Sequence, residues 1–367
     1  MGFLLSSMVA IGGFHWIAYV AQNFGQMPLP VAIGVLLLYC LVAAPQMVAF
    51  CWAGFHLRFG VERFPVALRP LFWAALYTAF EFLARFPKIF PEHLGNTLIA
   101  YPGIAQGASL GGVSLLSFLP LFAGASLYYL RKEGLRRGGP SAAAALALLA
   151  GLAWWGRAEI DRLRAQPSET LRVGFVQNNL DEAEKIAQRT SARAAFDQIV
   201  THLISRSREL AASDPRPDLI VWPETAYPLA FPVEGQVFGA GLSGYANLVK
   251  AGVADTGIPL LFGGYEESGK TYNAAFLLDG SGRVLSTYRK NVLLVFGEYF
   301  PLDWLFPSLK SINPQMGDFG RGPGPVPLSF PFRGGELLLG VNICYEAILP
   351  EYMRPYAQGG ARVLLNI

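Results

Sequence analysis

The sequence predicts two structural regimes in one chain: a multi-pass α-helical membrane half followed by a water-soluble α/β half. Three observations predict it. No Asp, Glu, Lys or Arg occurs before Arg58, and Met1 to Gly156 holds only nine basic and four acidic residues. Apolar runs of membrane-span length recur through that stretch. From Thr170 the pattern changes to short β-type runs between helical or turn-rich segments. Overall 53% of the residues are hydrophobic and 15% charged, against about 25% charged in an ordinary soluble protein.

A helix crossing the hydrocarbon core needs about 20 mainly apolar residues. Five stretches qualify: Phe3–Ala21, Val31–Phe55, Val66–Leu83, Ala108–Leu130 and Ser141–Gly156. The last is short, but Trp154 and Trp155 at its end suit an interfacial aromatic belt. A membrane domain over 1–156 follows. Arg58 and Arg63, followed by Arg69 at the start of the third span, mark the connection between the second and third spans, and Arg131, Lys132, Arg136 and Arg137 lie between the fourth and fifth. With five spans both loops share one side, which the positive-inside bias makes cytoplasmic. Everything after Arg157 is then extracytoplasmic. The first residues lack a charged n-region and a small-residue cleavage site, so no removable signal peptide is expected.

Glu81, near the end of the third span, has two readings. An ionisable group at membrane depth marks function, while an interfacial pair with Arg85, one helical turn on, would be purely structural. The Pro- and Gly-rich segment 85–107 reads either as a lid over a site or as a long connector.

Residues 157–169 read as a linker and 170–367 as a second domain. LRVGFVQ (171–177), DLIVWPE (218–224), PLLFGGY (259–265), YNAAFLLD (272–279), RVLSTYRK (283–290), ELLLGVNICYE (336–346) and ARVLLNI (361–367) read as strands. Several are nearly continuous apolar runs, as in strands buried on both faces. Asp181–Ala212 has helical spacing, a second helix fits Val237–Val253, and Asp279-Gly280-Ser281-Gly282 is a hairpin turn. Strands alternating with helices argue for a layered α/β domain.

Charge and cysteine content exclude some functions. A net charge of +3 is too small to imply a nucleic-acid partner. The three cysteines give neither a disulfide framework nor metal-ligand spacing. Cys40 and Cys51 sit in apolar runs as small hydrophobes. Cys344 is different, because it ends an apolar strand. So do Glu224, after LIVWP, and Lys290, after VLSTYR. Strand ends are where a rigid sheet holds catalytic groups. A carboxylate can act as general base toward a thiol, an ammonium can stabilise an oxyanion, and a cysteine can carry an acyl group. Taken singly, each has an ordinary reading: a core cysteine, a turn-capping glutamate, a solvated edge lysine.

WPET (222–225), YRKNVLLVFGEYFP (288–301) and NICYE (342–346) resemble the nitrilase superfamily in order and spacing, and within it the apolipoprotein N-acyltransferases. GFHWIAYVAQNFGQMPLP (13–30) is similar to that family's segment after an early span, so the resemblance covers essentially the whole chain. It implies a four-layer αββα sandwich facing the periplasm on a bundle of helices in the bacterial inner membrane. It implies Cys344 as nucleophile, Glu224 as general base and Lys290 as oxyanion-stabilising cation, with Glu298, Tyr345 and Glu346 in support. The implied reaction is ping-pong. Cys344 takes an acyl chain from a phospholipid, typically phosphatidylethanolamine, as a thioester, and the α-amine of a diacylglyceryl-cysteine apolipoprotein accepts it. No metal, nucleotide or other cofactor is implied.

Some positions depart from the family pattern. The chain starts at what resembles the family's third span and stops at Ile367, before an Asn-Asp-Ala-Trp-Phe segment, so a fragment with an incomplete sandwich is expected. Val295 stands where Pro is common, and Ile186 where relatives often carry a substrate-contacting Trp. His93 receives no role. Two other readings compete: a membrane-anchored nitrilase-type amidase using the same three residues, and an inactive, truncated membrane protein.

Overall fold

A computed structural model of the chain describes residues 2–23, 27–84, 90, 92–177, 191–233, 240–295, 298–299 and 319–367. It divides into two compact units, Met1–Ser168 and Glu169–Ile367.

The first unit is helical: α1 (Gly2–Phe14), α2 (Trp16–Asn23), α3 (Leu29–Val42), α4 (Pro45–Val61), α5 (Arg69–Leu83), α6 (Pro102–Ala105) and α7 (Ala108–Arg164). Large apolar side chains point outward, as with Met8 at 73% and Trp52 at 67% exposed. Ser6, Gln46, Glu81, Ser117, Ser126 and Ser141 are buried instead. That inversion suits helices whose solvent is lipid, where small and polar residues mediate packing.

By length and composition two helices can cross a membrane, or up to four if each bent pair, α1 with α2 (55°) and α3 with α4 (43°), is one span. The fourth and fifth expected spans fall within α7, whose 57 residues are broken by non-helical backbone at Gly111 and Gly112 and again at Gly134 (φ +76°). There the chain reverses. A Cβ on Gly138 would lie 2.5 Å from the Leu130 Cα, a closeness impossible along one straight helix. Phe122 packs with Ala145, and Leu116 with Leu152, so 108–133 and 135–164 are antiparallel arms. The second arm continues past Gly156, making 157–164 helical. At the hairpin end Arg69 pairs with Glu133 at 3.9 Å, which brings the two basic loops together.

At the other end Glu81 is fully buried. Its Oε1 meets His93 Nδ1 at 3.1 Å, and its Oε2 accepts from the Leu94 backbone N at 2.9 Å. Glu81 therefore anchors the segment after residue 92, and His93 has a structural partner. Arg85, the partner weighed in the sequence, lies outside the described residues, as does much of the segment that follows it.

The second unit holds a five-stranded sheet, β1 (Val173–Phe175), β2 (Leu219–Val221), β3 (Leu260–Glu267), β4 (Thr271–Leu278) and β5 (Val284–Arg289), in chain order. A second sheet comprises β6 (Leu328–Phe332), β7 (Gly335–Asn342) and β8 (Val363–Asn366). All seven expected strands form, and β6 is an addition. Helices α8 (Ala192–Ala211), α9 (Ala240–Thr256) and α10 (Pro350–Gln358) complete the unit. The first turns expected for α8 and α9, at 181–190 and 237–239, lie outside the described residues. Ser191 caps α8 by accepting from Ala194 N at 3.2 Å, the usual way to satisfy an orphan helix donor.

The layers follow from which residues share a core. Ile220, Leu260, Phe262 and Phe276 pack under Val200, Leu203, Val249 and Val253 of the two helices. On the opposite face Leu219, Val221, Leu261 and Leu277 meet Phe330, Leu339, Val341 and Leu365 of the second sheet. Alternate strand residues face opposite ways, so Gly340 looks outward, and there Tyr356 of α10 packs on it. The order is helices, sheet, sheet, helix.

Candidate active site

Pairing direction decides which strand ends meet. β2 and β3 are parallel, β4 runs against β3 and β5 against β4, so β2 and β5 point the same way. Their carboxyl ends open on one edge, where Glu224 and Lys290 stand. β4 presents its amino end there, with Asn273 opposite Tyr265. The Glu224 segment lies on β3 so closely that a Cβ at Gly263 would be 2.6 Å from the Glu224 Cα. Only glycine fits.

Lys290 Nζ donates to Glu224 Oε1 at 3.0 Å and to Glu298 Oε1 at 2.8 Å. Asn273 Nδ2 donates to the same two oxygens, at 2.7 and 2.8 Å. Two carboxylates are thereby bridged twice, once by an ammonium and once by an amide. Glu298 Oε2 also accepts from Leu294 N at 2.8 Å. Lys290 is 1% exposed, a depth at which a lone cation would lose its charge. Burial does depress its pKa, but the Glu224 and Glu298 charges outweigh it and hold the ammonium above its ordinary value.

Cys344 begins a short 3₁₀ turn (Cys344–Ile348) after β7. Its φ is +51°, and Thr225, next to Glu224, has φ +50°. For a side-chain-bearing residue this costs about 1–2 kcal/mol, and such strain concentrates at functional sites. The backbone fixes it: Cys344 N donates to Ile367 O at 2.9 Å. Partial desolvation raises the thiol pKa, the Glu224 charge and a hydrogen-bonding interaction with Glu224 raise it further, and Lys290 acts the other way. Cys344 as a residue is exposed, which leaves it open to an incoming carbonyl. The thiol at rest keeps its proton beside a carboxylate able to take it.

Glu346 lies apart from that cluster. It is fully buried and accepts four hydrogen bonds: Asn291 N (2.7 Å) and Val292 N (2.9 Å) on Oε1, Tyr288 Oη (2.6 Å) and Ile343 N (2.9 Å) on Oε2. It ties the nucleophile turn to the strand end that carries Lys290. Tyr345 flanks Cys344, and burial, followed by the nearby Tyr299 and Glu351, raises its phenol. Of the six residues singled out in the sequence, Glu224, Lys290, Glu298 and Cys344 converge, Tyr345 flanks them and Glu346 braces them. Ile186 and most of FGEYFP beyond Glu298 and Tyr299 lie outside the described residues.

Sequence reasoning missed Asn273 and Tyr265. Tyr265 faces the same carboxylates, and burial followed by the Glu224 and Glu298 charges raises its phenol. Both sit where β3 and β4 reach the site edge. Among the described residues no group of three or more His, Cys, Asp or Glu is placed to hold a metal ion.

The family model described as carbon-nitrogen hydrolase matches residues 172–367, and that of the apolipoprotein N-acyltransferase N-terminal domain matches residues 1–126. A Bdellovibrio bacteriovorus protein named apolipoprotein N-acyltransferase is 33% identical, over all of this chain and 67% of its own length. Proteins of the same name from Geobacter metallireducens and Azotobacter vinelandii are 31% and 32% identical, over 100% and 93% of this chain and 68% and 63% of their own. The chain thus spans about two thirds of these relatives. A carbon-nitrogen hydrolase structure from Helicobacter pylori is 19% identical, covering 53% of this chain and 59% of its own, with a TM-score of 0.36.

Proposed function

The chain belongs to the apolipoprotein N-acyltransferase family of carbon-nitrogen hydrolases, and from that premise we propose how its residues acylate a lipoprotein. The acyl donor is a phospholipid, with phosphatidylethanolamine the proposed species. The acceptor is the N-terminal amine of a diacylglyceryl-cysteine. Glu224 takes the Cys344 proton as sulfur attacks the ester carbonyl, and Lys290 stands beside the oxyanion that develops. Collapse breaks the ester C–O bond, and Glu224 returns the proton to the departing lysophospholipid oxygen. In the second half the amine attacks the thioester, Glu224 accepts an amine proton, and the amide forms as the thiolate leaves and is reprotonated.

The observation carrying this reading is the shared Glu224 Oε1, which binds Lys290 and Asn273 next to the Cys344 thiol. A carboxylate so anchored keeps its position through proton transfer. The match of residues 1–126 to the acyltransferase N-terminal model favours acyl transfer over the amidase alternative. Two lipid substrates anchored in a bilayer also gain effective concentration from a membrane-borne site.

The proposed organisation is a membrane domain over 1–156, a connection through 157–169 and a catalytic domain from 170, on the periplasmic face of the bacterial inner membrane. The basic loops joined through Arg69 and Glu133 support a cytoplasmic hairpin end. The test is incubation with a phospholipid labelled in its acyl chain. Label should become covalently attached, be released by hydroxylamine, and be absent from Cys344→Ala. Undiminished lipoprotein acylation by that variant would sink the reading.

A further inference from the structure

At the end of the first unit away from the basic hairpin, residues 100–104 fold against the last turns of α7. A Cβ on Gly156 would stand 1.8 Å from the Gly103 carbonyl oxygen, so the two backbones touch. Beside this contact opens a cleft of about 500 Å³, whose lining includes Tyr101, Ile104, Arg157, Ile160, Asp161 and Arg164. The four α7 residues are spaced three, four and seven apart and share one helix face.

The charges in this cleft are unusual for their place. Arg162, on another face, pairs with Glu159 at 2.5 Å. Arg157 and Arg164 form no ion pair among the described residues, although Asp161 lies between them in sequence. They stand opposite the end where Arg69 and Arg137 both approach Glu133, against the bias that gathers basic residues on one side of a membrane protein. Trp154, 75% exposed one turn earlier, marks the level of a bilayer interface. Guanidinium groups bind phosphate oxygens in forked geometry, and apolar walls beside them suit glycerol and acyl carbons.

We propose that this cleft, lined by none of the catalytic side chains, is a phospholipid headgroup site. Arg157 and Arg164 clamp the phosphate diester, Asp161 faces the ammonium of an ethanolamine headgroup, and Ile104 and Ile160 contact the start of the acyl chains. A free phosphate would leave the apolar wall in water, so the occupant is the lipid. The site goes beyond acyl transfer and does not depend on Cys344.

The test uses the full chain carrying Cys344→Ala, so that lipid is not consumed. It is placed in bilayer discs with a phosphatidylethanolamine bearing a photoreactive group near its glycerol. Cross-linked peptides, mapped by mass spectrometry, are expected to include 100–104 or 153–164. Arg157→Gln with Arg164→Gln should lower that label by about tenfold, the worth of one charge-assisted contact or more. Arg162→Gln, outside the cleft, should leave it unchanged. Should the double variant fail to fold, Arg164→Gln alone, at the exposed helix end, must still lower the label. Asp161→Asn should shift preference from ethanolamine toward glycerol headgroups. Label absent from these peptides, label indifferent to the arginines, equal loss with Arg162→Gln, or displacement by excess inorganic phosphate each overturns the proposal.

Discussion

Glu224 and Glu298 each place one oxygen between the same two donors, and removing a donor changes the proton chemistry as well as the fold. Asn273→Ala deletes two hydrogen bonds to charged acceptors, each worth about 1.5–3 kcal/mol. The expected result is a fall in kcat/KM of about 10- to 100-fold, with an altered pH profile of Cys344 alkylation separating a positioning role from simple destabilisation. Alkylation also tests the electrostatics directly. The Glu224 carboxylate raises the thiol pKa and Lys290 lowers it. In Glu224→Gln the pH midpoint of alkylation should therefore move down, and in Lys290→Met it should move up. Movement in the same direction in both variants would contradict the geometry. The three strand-end residues were legible in sequence because each interrupts an apolar run at its carboxyl end. Asn273 was not, because β4 is antiparallel and brings its amino end to the site, and strand direction is invisible before pairing.

Elements rather than single residues hold the nucleophile in place. The Glu346 carboxylate joins the turn after β7 to the segment after β5 through four donors. Glutamine keeps only one acceptor oxygen and turns an amide toward at least one buried N–H. Glu346→Gln should therefore cost about 2–4 kcal/mol, read as a lower Tm of the purified chain, with activity lost alongside stability. Gly263→Ala should act differently. Its methyl would push the Glu224 segment off β3, so turnover should fall more steeply than Tm. Strand β6 escaped the sequence reading because Pro331 breaks its apolar pattern. Pro is tolerated there because β6 is an edge strand, with Leu328 and Phe330 inward and Ser329 outward. The long α7 shows the same limit in reverse. Two spans were legible from hydropathy, but the tight reversal between them was not, since it turns on the positive φ of Gly134, which composition does not reveal.

For the whole molecule, the sequence foretold both regimes because lipid and water impose different compositions, and the αββα order came with the family resemblance. Topology is testable on intact cells or spheroplasts. Single cysteines placed at Arg136 and Arg333, in a chain lacking Cys40, Cys51 and Cys344, should be labelled by impermeant maleimide from opposite sides. Labelling of both from one side would refute the periplasmic placement. The four-donor brace at Glu346 also sets an order of assembly. Its donors come from both sheets, so the Cys344 turn cannot settle until the sheets have docked. Until then the nucleophile is not preset, because the Glu224 and Lys290 charges that act on the thiol follow strands of the other sheet. Readiness to react is therefore a property of the docked pair of sheets and of neither sheet alone.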